Sequence, residues 1–186
     1  MKDLTQIWIE LAAQGKGSDK GSIHSYLPVY EKILAPYRET ANNVLEIGIF
    51  RGHSLLMWEE YFANAVVYGM DCEVRPHGGM ANLTEMIKSD LHNIIIMDAE
   101  NEKEIEKRFG GGKLDVIIED ANHSTEQQLN LYRIWKEYLA PGGIYIIEDV
   151  QDLDTDRKLF EDLGGEVIDL RNVKGRYDDC LIIFRK

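Results

Sequence analysis

Cysteine is scarce in this chain: Cys72 and Cys180 are the only two, they stand far apart, and no Cys-x-x-Cys spacing occurs. Both sit beside strand-like runs where a buried free thiol is the ordinary outcome, so a reducing, cytoplasmic setting is expected. Positive charge is also short, with 21 Lys plus Arg against 33 Asp plus Glu and a formal net charge of -12. An excess of that sign repels a phosphate backbone and disfavours a nucleic-acid partner. Long apolar runs are missing, since stretches such as Ile94-Ile95-Ile96-Met97 are only strand-sized and Met1-Lys2-Asp3 leads into a mixed segment. Neither a membrane span nor a secretory leader is expected. Internal repeats and low-complexity stretches are absent too. The 186 residues, 44% apolar and 29% charged, suffice for one sizeable core, and we read 1–186 as a single domain.

What is present is an alternation. From Val44 onward, apolar β-rich runs alternate with amphipathic segments, the pattern of a mostly parallel α/β sheet with crossover helices. Strands are expected at 44–49, 66–70, 94–97, 114–119, 144–147, 166–170 and 179–184, each rich in Val and Ile. Together they make a seven-stranded sheet. Helices are expected at 54–62, 80–91, 102–109, 124–139 and 155–163. The clearest is 124–139: Ser124 and Gln127 form a capping box, Leu129, Tyr132, Trp135 and Leu139 fall on one face, and Pro141-Gly142-Gly143 ends it.

The first 43 residues precede the sheet and read as two helices, 4–13 and 23–34, joined by the polar loop Gly15-Lys16-Gly17-Ser18-Asp19-Lys20-Gly21-Ser22. This N-terminal segment is read as a helical lid or acceptor segment, with a Gly/Ser connector as the bland alternative for its loop. A phosphate-binding loop is rejected, because Asp19 stands where a glycine would precede Lys20 and a helix comes first. His24, Tyr26 and Tyr30 either line a pocket or pack a helix, the commoner fate. The loop 73–80 either closes over a ligand or is a surface turn.

Val44-Leu45-Glu46-Ile47-Gly48-Ile49-Phe50-Arg51-Gly52 places a strand, a glycine turn and a helix in succession, which lets backbone approach a nucleotide-like cofactor at the carboxyl end of a sheet. Phe50 stands where a dinucleotide fingerprint needs its second glycine, which argues against NAD. Asp71 ends the second strand 23 residues beyond Gly48, where a carboxylate can accept bonds from both ribose hydroxyls. Asp98 ends the third strand and is a further candidate for the adenosine's surroundings. Singly, such residues are more often turn glycines and helix caps; their order is more informative.

Strand four runs into Glu119-Asp120-Ala121-Asn122-His123, and strand five into Glu148-Asp149. Adjacent parallel strands lie about 4.8 Å apart, so Asp120, His123, Glu148 and Asp149 are expected at one rim, the cofactor rim. Clustered carboxylates with no lysine cluster nearby call for a divalent cation, and oxygen ligands favour Mg²⁺, with Mn²⁺ or Ca²⁺ also suitable. The expected ligands are Asp120, Glu148 and Asp149, with Glu119 the alternative to Asp120. His123, whose ordinary pKa is about 6.5, is the candidate general base. For each of these residues, a helix-capping role is the alternative.

Glu-x-Gly-x-x-x-Gly after strand one, then Asp after strands two and three, resembles the class I S-adenosylmethionine-dependent methyltransferases. The resemblance implies a Rossmann-like, doubly wound fold, assigns the methionyl arm to the Gly48 turn and the ribose to Asp71, and makes Glu46, Gly52 and Asp98 neighbours of the cofactor. A closer resemblance rests on Gly17-Ser18-Asp19-Lys20-Gly21-Ser22-Ile23-His24-Ser25-Tyr26 with Tyr30, Leu45-Glu46-Ile47-Gly48, Asp120-x-x-His123, Pro141-Gly142-Gly143 and Ile147-Glu148-Asp149. Over 15–150 the chain is similar to the metal-dependent macrolide-sugar O-methyltransferases of the mycinamicin and demethylmacrocin type. That family implies Mg²⁺ on an Asp and a Glu-Asp pair, a histidine base and a sugar-bearing small-molecule acceptor. Its members carry a long additional N-terminal region, whereas 43 residues precede the sheet here. Competing expectations are a catechol-like acceptor and a non-catalytic S-adenosylmethionine-binding module. A nucleic-acid methyltransferase ranks last, for want of an Asn/Asp-Pro-Pro-aromatic motif or a basic track. The small size and apolar helix surfaces suit a homodimer.

Overall fold

Val44, Leu45, Glu46 and Ile47 are all buried, as in a strand covered on both faces, and they form β1 (Asn43–Ile47) near the middle of a sheet. The computed structural model describes residues 1–72 and 93–186; the expected helix 80–91 and loop 73–80 lie outside them. Among the described residues the other strands are β2 (Val66–Asp71), β3 (Ile94–Ile96), β4 (Leu114–Glu119), β5 (Leu139–Glu148), β6 (Glu166–Asp169) and β7 (Cys180–Arg185). Their order is β3-β2-β1-β4-β5-β7-β6, with β7 antiparallel to both its neighbours. The strand order reverses between β1 and β4, which opens a crevice at their carboxyl ends.

Period-two alternation sorts the side chains onto two faces. Val44, Val116, Ile118, Ile144 and Ile146 join one buried cluster beneath α1 (Leu4–Ala13), α3 (Leu27–Leu34) and α4 (His53–Tyr61). Leu45, Ile47, Ile117, Tyr145 and Ile147 join the other, beneath α5 (Glu102–Phe109), α6 (Thr125–Trp135) and α7 (Leu153–Asp162). Helices α1 and α3 are therefore a layer of the fold. An isolated ten-residue helix is marginal in water, so α1 depends on burying Leu4 and Ile7, worth roughly 2 kcal/mol each. Within the N-terminal segment, the stretch around the short helix α2 (Asp19–Ser22) lines the crevice.

Three expectations are corrected. The helix expected over 23–34 starts at Leu27, with Pro28 in its first turn, which leaves 23–26 irregular and carries His24 and Tyr26 inward. Helix α6 ends at Trp135, because Leu139 already pairs with Leu114 and β5 shifts register before Ile144. The capping box is half made: Ser124 accepts from the Gln127 N–H at 3.4 Å, but the Gln127 side chain reaches Glu100. Of the two thiols, Cys180 is buried as expected and Cys72 is exposed. No helix among the described residues is long and apolar enough to cross a membrane.

Candidate active site

The carboxyl ends of β1 and β4 touch at Gly48. A Cβ there would lie 1.9 Å from the Asp120 carbonyl oxygen, and the residue holds φ +98°, so only glycine fits. Asp120 N–H donates to the Ile47 carbonyl at 2.8 Å, and Gly48 N–H to the Met70 carbonyl at 2.7 Å. The Asp71 carboxylate accepts from Ile49 N–H at 3.1 Å and so ties the end of β2 to the glycine turn. Phe50 stands 66% exposed with φ 46°, and Gly52, at φ 70°, starts α4.

Beyond this turn lies a cleft of about 1140 Å³. Gly48, Asp71, Asp98, Asp120, His123 and Asp149 line it, whereas Glu46, Gly52, Glu119 and Glu148 do not. Strand alternation explains the split. Glu46 and Glu148 share the face of Val44 and Ile146, beneath the N-terminal helices; Glu119 faces the opposite core, where its Oε1 accepts from Ala121 N–H at 3.2 Å and its Oε2 has no partner among the described residues. Burial pushes the Glu119 carboxyl up to about 8. Glu119 thus stands apart from the acidic cluster.

The expectation that no lysine neutralises the acids is overturned by Lys20. Its side chain is 1% exposed, and its Nζ lies 2.6 Å from Asp120 Oδ2, 2.8 Å from Glu148 Oε2 and 3.3 Å from Glu46 Oε1. Burial works against its charge, yet Asp120, Glu148 and Glu46 together hold its pKa well above the usual lysine value. The other oxygens of the two glutamates are taken as well: Tyr30 Oη donates to Glu148 Oε1 at 2.5 Å, and Ser54 Oγ to Glu46 Oε2 at 2.7 Å. Trp58 Nε1 adds a 3.2 Å bond to Glu46 Oε1. Burial raises the pKa of both glutamates, with Lys20 opposing.

A second group faces the cleft. His123 Nδ1 lies 3.9 Å from Asp120 Oδ1 and 4.0 Å from Asp149 Oδ2, too far for hydrogen bonds, and is buried without a partner among the described residues. The ligand-capable atoms of Asp120, His123 and Asp149 all lie within 4.8 Å of one another. Two carboxylates and an imidazole within that reach of one another suit a Mg²⁺- or Mn²⁺-sized cation. Burial, with Asp120 adding to it, pushes the Asp149 carboxyl up to about 6. Tyr26 Oη donates to Asp149 Oδ1 at 2.5 Å, and His24, stacked on Tyr26, brings Nδ1 to 3.3 Å from that oxygen. His24 is 3% exposed, and burial lowers its pKa.

Reading from sequence missed Lys20, and with it the wall formed by residues 176–178. The Lys174 ammonium donates to the carbonyls of Gly21, Ser22 and His24 at 2.9, 3.2 and 2.6 Å, clasping the loop that carries Lys20. Alternation along Ile144, Ile146 and Glu148 already carries the signal that Glu148 turns away from Asp149. A lysine 100 residues from Asp120 carries no such local signal.

Residues 45–150 match the family described as Methyltransferase domain. The chain is 30% identical over 142 residues to an 8-demethyl-8-alpha-L-rhamnosyl tetracenomycin-C 2'-O-methyltransferase of Streptomyces olivaceus, covering 73% of this chain and 35% of that protein. It is 30% identical over 137 residues to a demethylmacrocin O-methyltransferase of Streptomyces fradiae, covering 70% of this chain and 33% of that one. The chain thus spans about a third of the length of these relatives. The structure resembles that of MycE methyltransferase from the mycinamycin biosynthetic pathway in complex with Mg, SAH and mycinamycin VI. The TM-score is 0.65 at 22% identity, over 87% of this chain and 45% of that one, a likeness of fold.

Proposed function

The chain belongs to the methyltransferase-domain family, and from that premise we propose that it moves the methyl group of S-adenosylmethionine, with Mg²⁺ present, onto a hydroxyl of a sugar or other polyol-bearing small molecule. The observation that carries this reading is that the glycine turn with Asp71, and the group Asp120, His123 and Asp149, line one cleft. The names of the two relatives support the acceptor class, and the Mg and SAH of the structural neighbour support the ion and the cofactor. A net charge of -12 also favours a small-molecule acceptor over nucleic acid.

When bound, S-adenosylmethionine supplies an electrophilic sulfonium methyl and Mg²⁺ a Lewis acid that acidifies the acceptor hydroxyl. The residues of the chain position and deprotonate. Gly48 would leave room at the turn for the methionyl arm, and Asp71 and Asp98, which line the same cleft, would hold the ribose and the rest of the adenosine. Asp120 and Asp149 would offer oxygen ligands; Glu148, expected as a third, has its two oxygens bonded to Lys20 and Tyr30. His123 would take the proton of the acceptor hydroxyl, whose oxygen would receive the methyl group as its bond to sulfur breaks and S-adenosylhomocysteine leaves. A second reading makes His123 a third ligand, favoured by the approach of its Nδ1 to both carboxylates.

Calorimetry with S-adenosylmethionine, with and without Mg²⁺, followed by an acceptor panel of glycosides and catechols, tests the proposal. We expect cofactor binding and methylation of glycosides. No cofactor binding under either condition ends the reading; preference for catechols gives the phenol alternative, and binding without turnover a regulatory module. Asp71→Ala should weaken cofactor binding at least tenfold, whereas Asp120→Ala should abolish turnover with cofactor affinity nearly intact. Equal losses of affinity in the two variants would refute this division of roles.

A further inference from the structure

Asp120 is held in two different ways. Its backbone is fixed by the bond from its N–H to Ile47 and by the close approach of Gly48, where a Cβ would meet its carbonyl at 1.9 Å. Neither contact constrains rotation of the carboxylate. The side chain is 21% exposed at the cleft edge and sits near two buried acids, Glu46 and Glu148. The 2.6 Å contact of Lys20 Nζ with Asp120 Oδ2 leaves Oδ1 turned toward His123 and Asp149.

We propose that Lys20 is a positioning residue: its ammonium, delivered by the loop over the cleft, holds the Asp120 carboxylate in the orientation the Asp120, His123 and Asp149 group requires. The inference deepens the proposed function and rests on it. An ammonium has three protons, and here three carboxylates surround it at 2.6, 2.8 and 3.3 Å. Glu46 and Glu148 have their remaining oxygens bonded to Ser54 and Tyr30 and are fixed without further help. Asp120 alone of the three reaches the cleft, so orientation by Lys20 has a chemical consequence at Asp120. Lys174 clasps the carbonyls of residues 21, 22 and 24 and so ties the loop that carries Lys20 to the segment before β7.

The test compares wild type, Lys20→Met and the charge-balanced pair Lys20→Met with Glu46→Gln, which removes one buried charge of each sign. Three quantities are read: thermal midpoint, Mn²⁺ affinity by calorimetry without cofactor or acceptor, and kcat separately from KM. Lys20→Met should lower the thermal midpoint, weaken Mn²⁺ binding at least tenfold and reduce kcat about a hundredfold, with cofactor affinity within twofold of wild type. The paired variant should regain the thermal midpoint and keep the losses in Mn²⁺ affinity and kcat. Recovery of all three in the paired variant, or Mn²⁺ affinity and kcat at wild-type level in either variant, overturns the inference and assigns Lys20 to charge balance alone. If Lys20→Met does not fold, the paired variant decides. A wild-type protein that binds neither Mn²⁺ nor S-adenosylmethionine defeats the proposed function instead, a result separate from these.

Discussion

His123 and Asp149 hold φ values of 62° and 57°, in the left-handed region where side chains with a Cβ cost roughly 1–2 kcal/mol each. These two lie in one cluster with Asp120, while Phe50, at φ 46°, is a third such residue in the glycine turn. Strain retained at that point fits a site in which direction matters more than stability. His123→Ala should lower kcat by about 10²- to 10⁴-fold if His123 is the base. Mn²⁺ affinity decides between the two roles: unchanged affinity keeps the base assignment, a fall with kcat makes His123 a ligand, and an unchanged rate removes it from both. On the opposite face, Glu119 has its carboxyl pushed up to about 8 by burial, against an ordinary value of 4.5. The folded state therefore keeps a proton there that the unfolded chain has lost. Its contribution is full below pH 4.5 and is lost as the pH rises through about 8. Glu119→Gln should flatten that decline in urea titrations between pH 5 and 8.5, a range set by the shift; parallel slopes in the two proteins would contradict it.

At the scale of elements, the join of β1, the glycine turn and β4 sets the position of everything else. Gly48→Ala places a methyl group against the Asp120 carbonyl and must force two central strand ends apart. A loss of about 3 kcal/mol or more is expected in urea unfolding, and a loss below about 1 kcal/mol would mean the turn is looser than described. Strand positions were legible from sequence because Val and Ile runs have few alternative uses, and β4 falls at 114–119 as read. The irregular stretch 23–26 was not legible. An amphipathic pattern there reads as continuous helix, and only packing against the sheet shows Tyr26 and Tyr30 turned onto Asp149 and Glu148. The same holds for the acid pair of β5. Alternation places Glu148 and Asp149 on opposite sides, but only the fold shows that Lys20 waits for one and the cleft for the other.

Over the whole molecule, both faces of the sheet are covered and the cleft opens at the one end where five strands terminate beside it. A ligand seated there touches β1, β2 and β4 at once and should stabilise the domain as a unit. With S-adenosylmethionine at a hundred times its Kd, stability should rise by about 2.7 kcal/mol, a thermal shift of roughly 5–10 °C. A shift absent in wild type, with binding seen by calorimetry, would mean that the cofactor also binds the unfolded chain. The chain alone determined the α/β class, the glycine turn and the order of acids after the strands, because strand periodicity, backbone sterics and turn chemistry are local properties. Tertiary structure decided which of those acids face one another, and that a lysine from the N-terminal layer stands among them. Charges interact through space at a few ångströms, and residues 20, 46, 120 and 148 come that close only once the chain has folded.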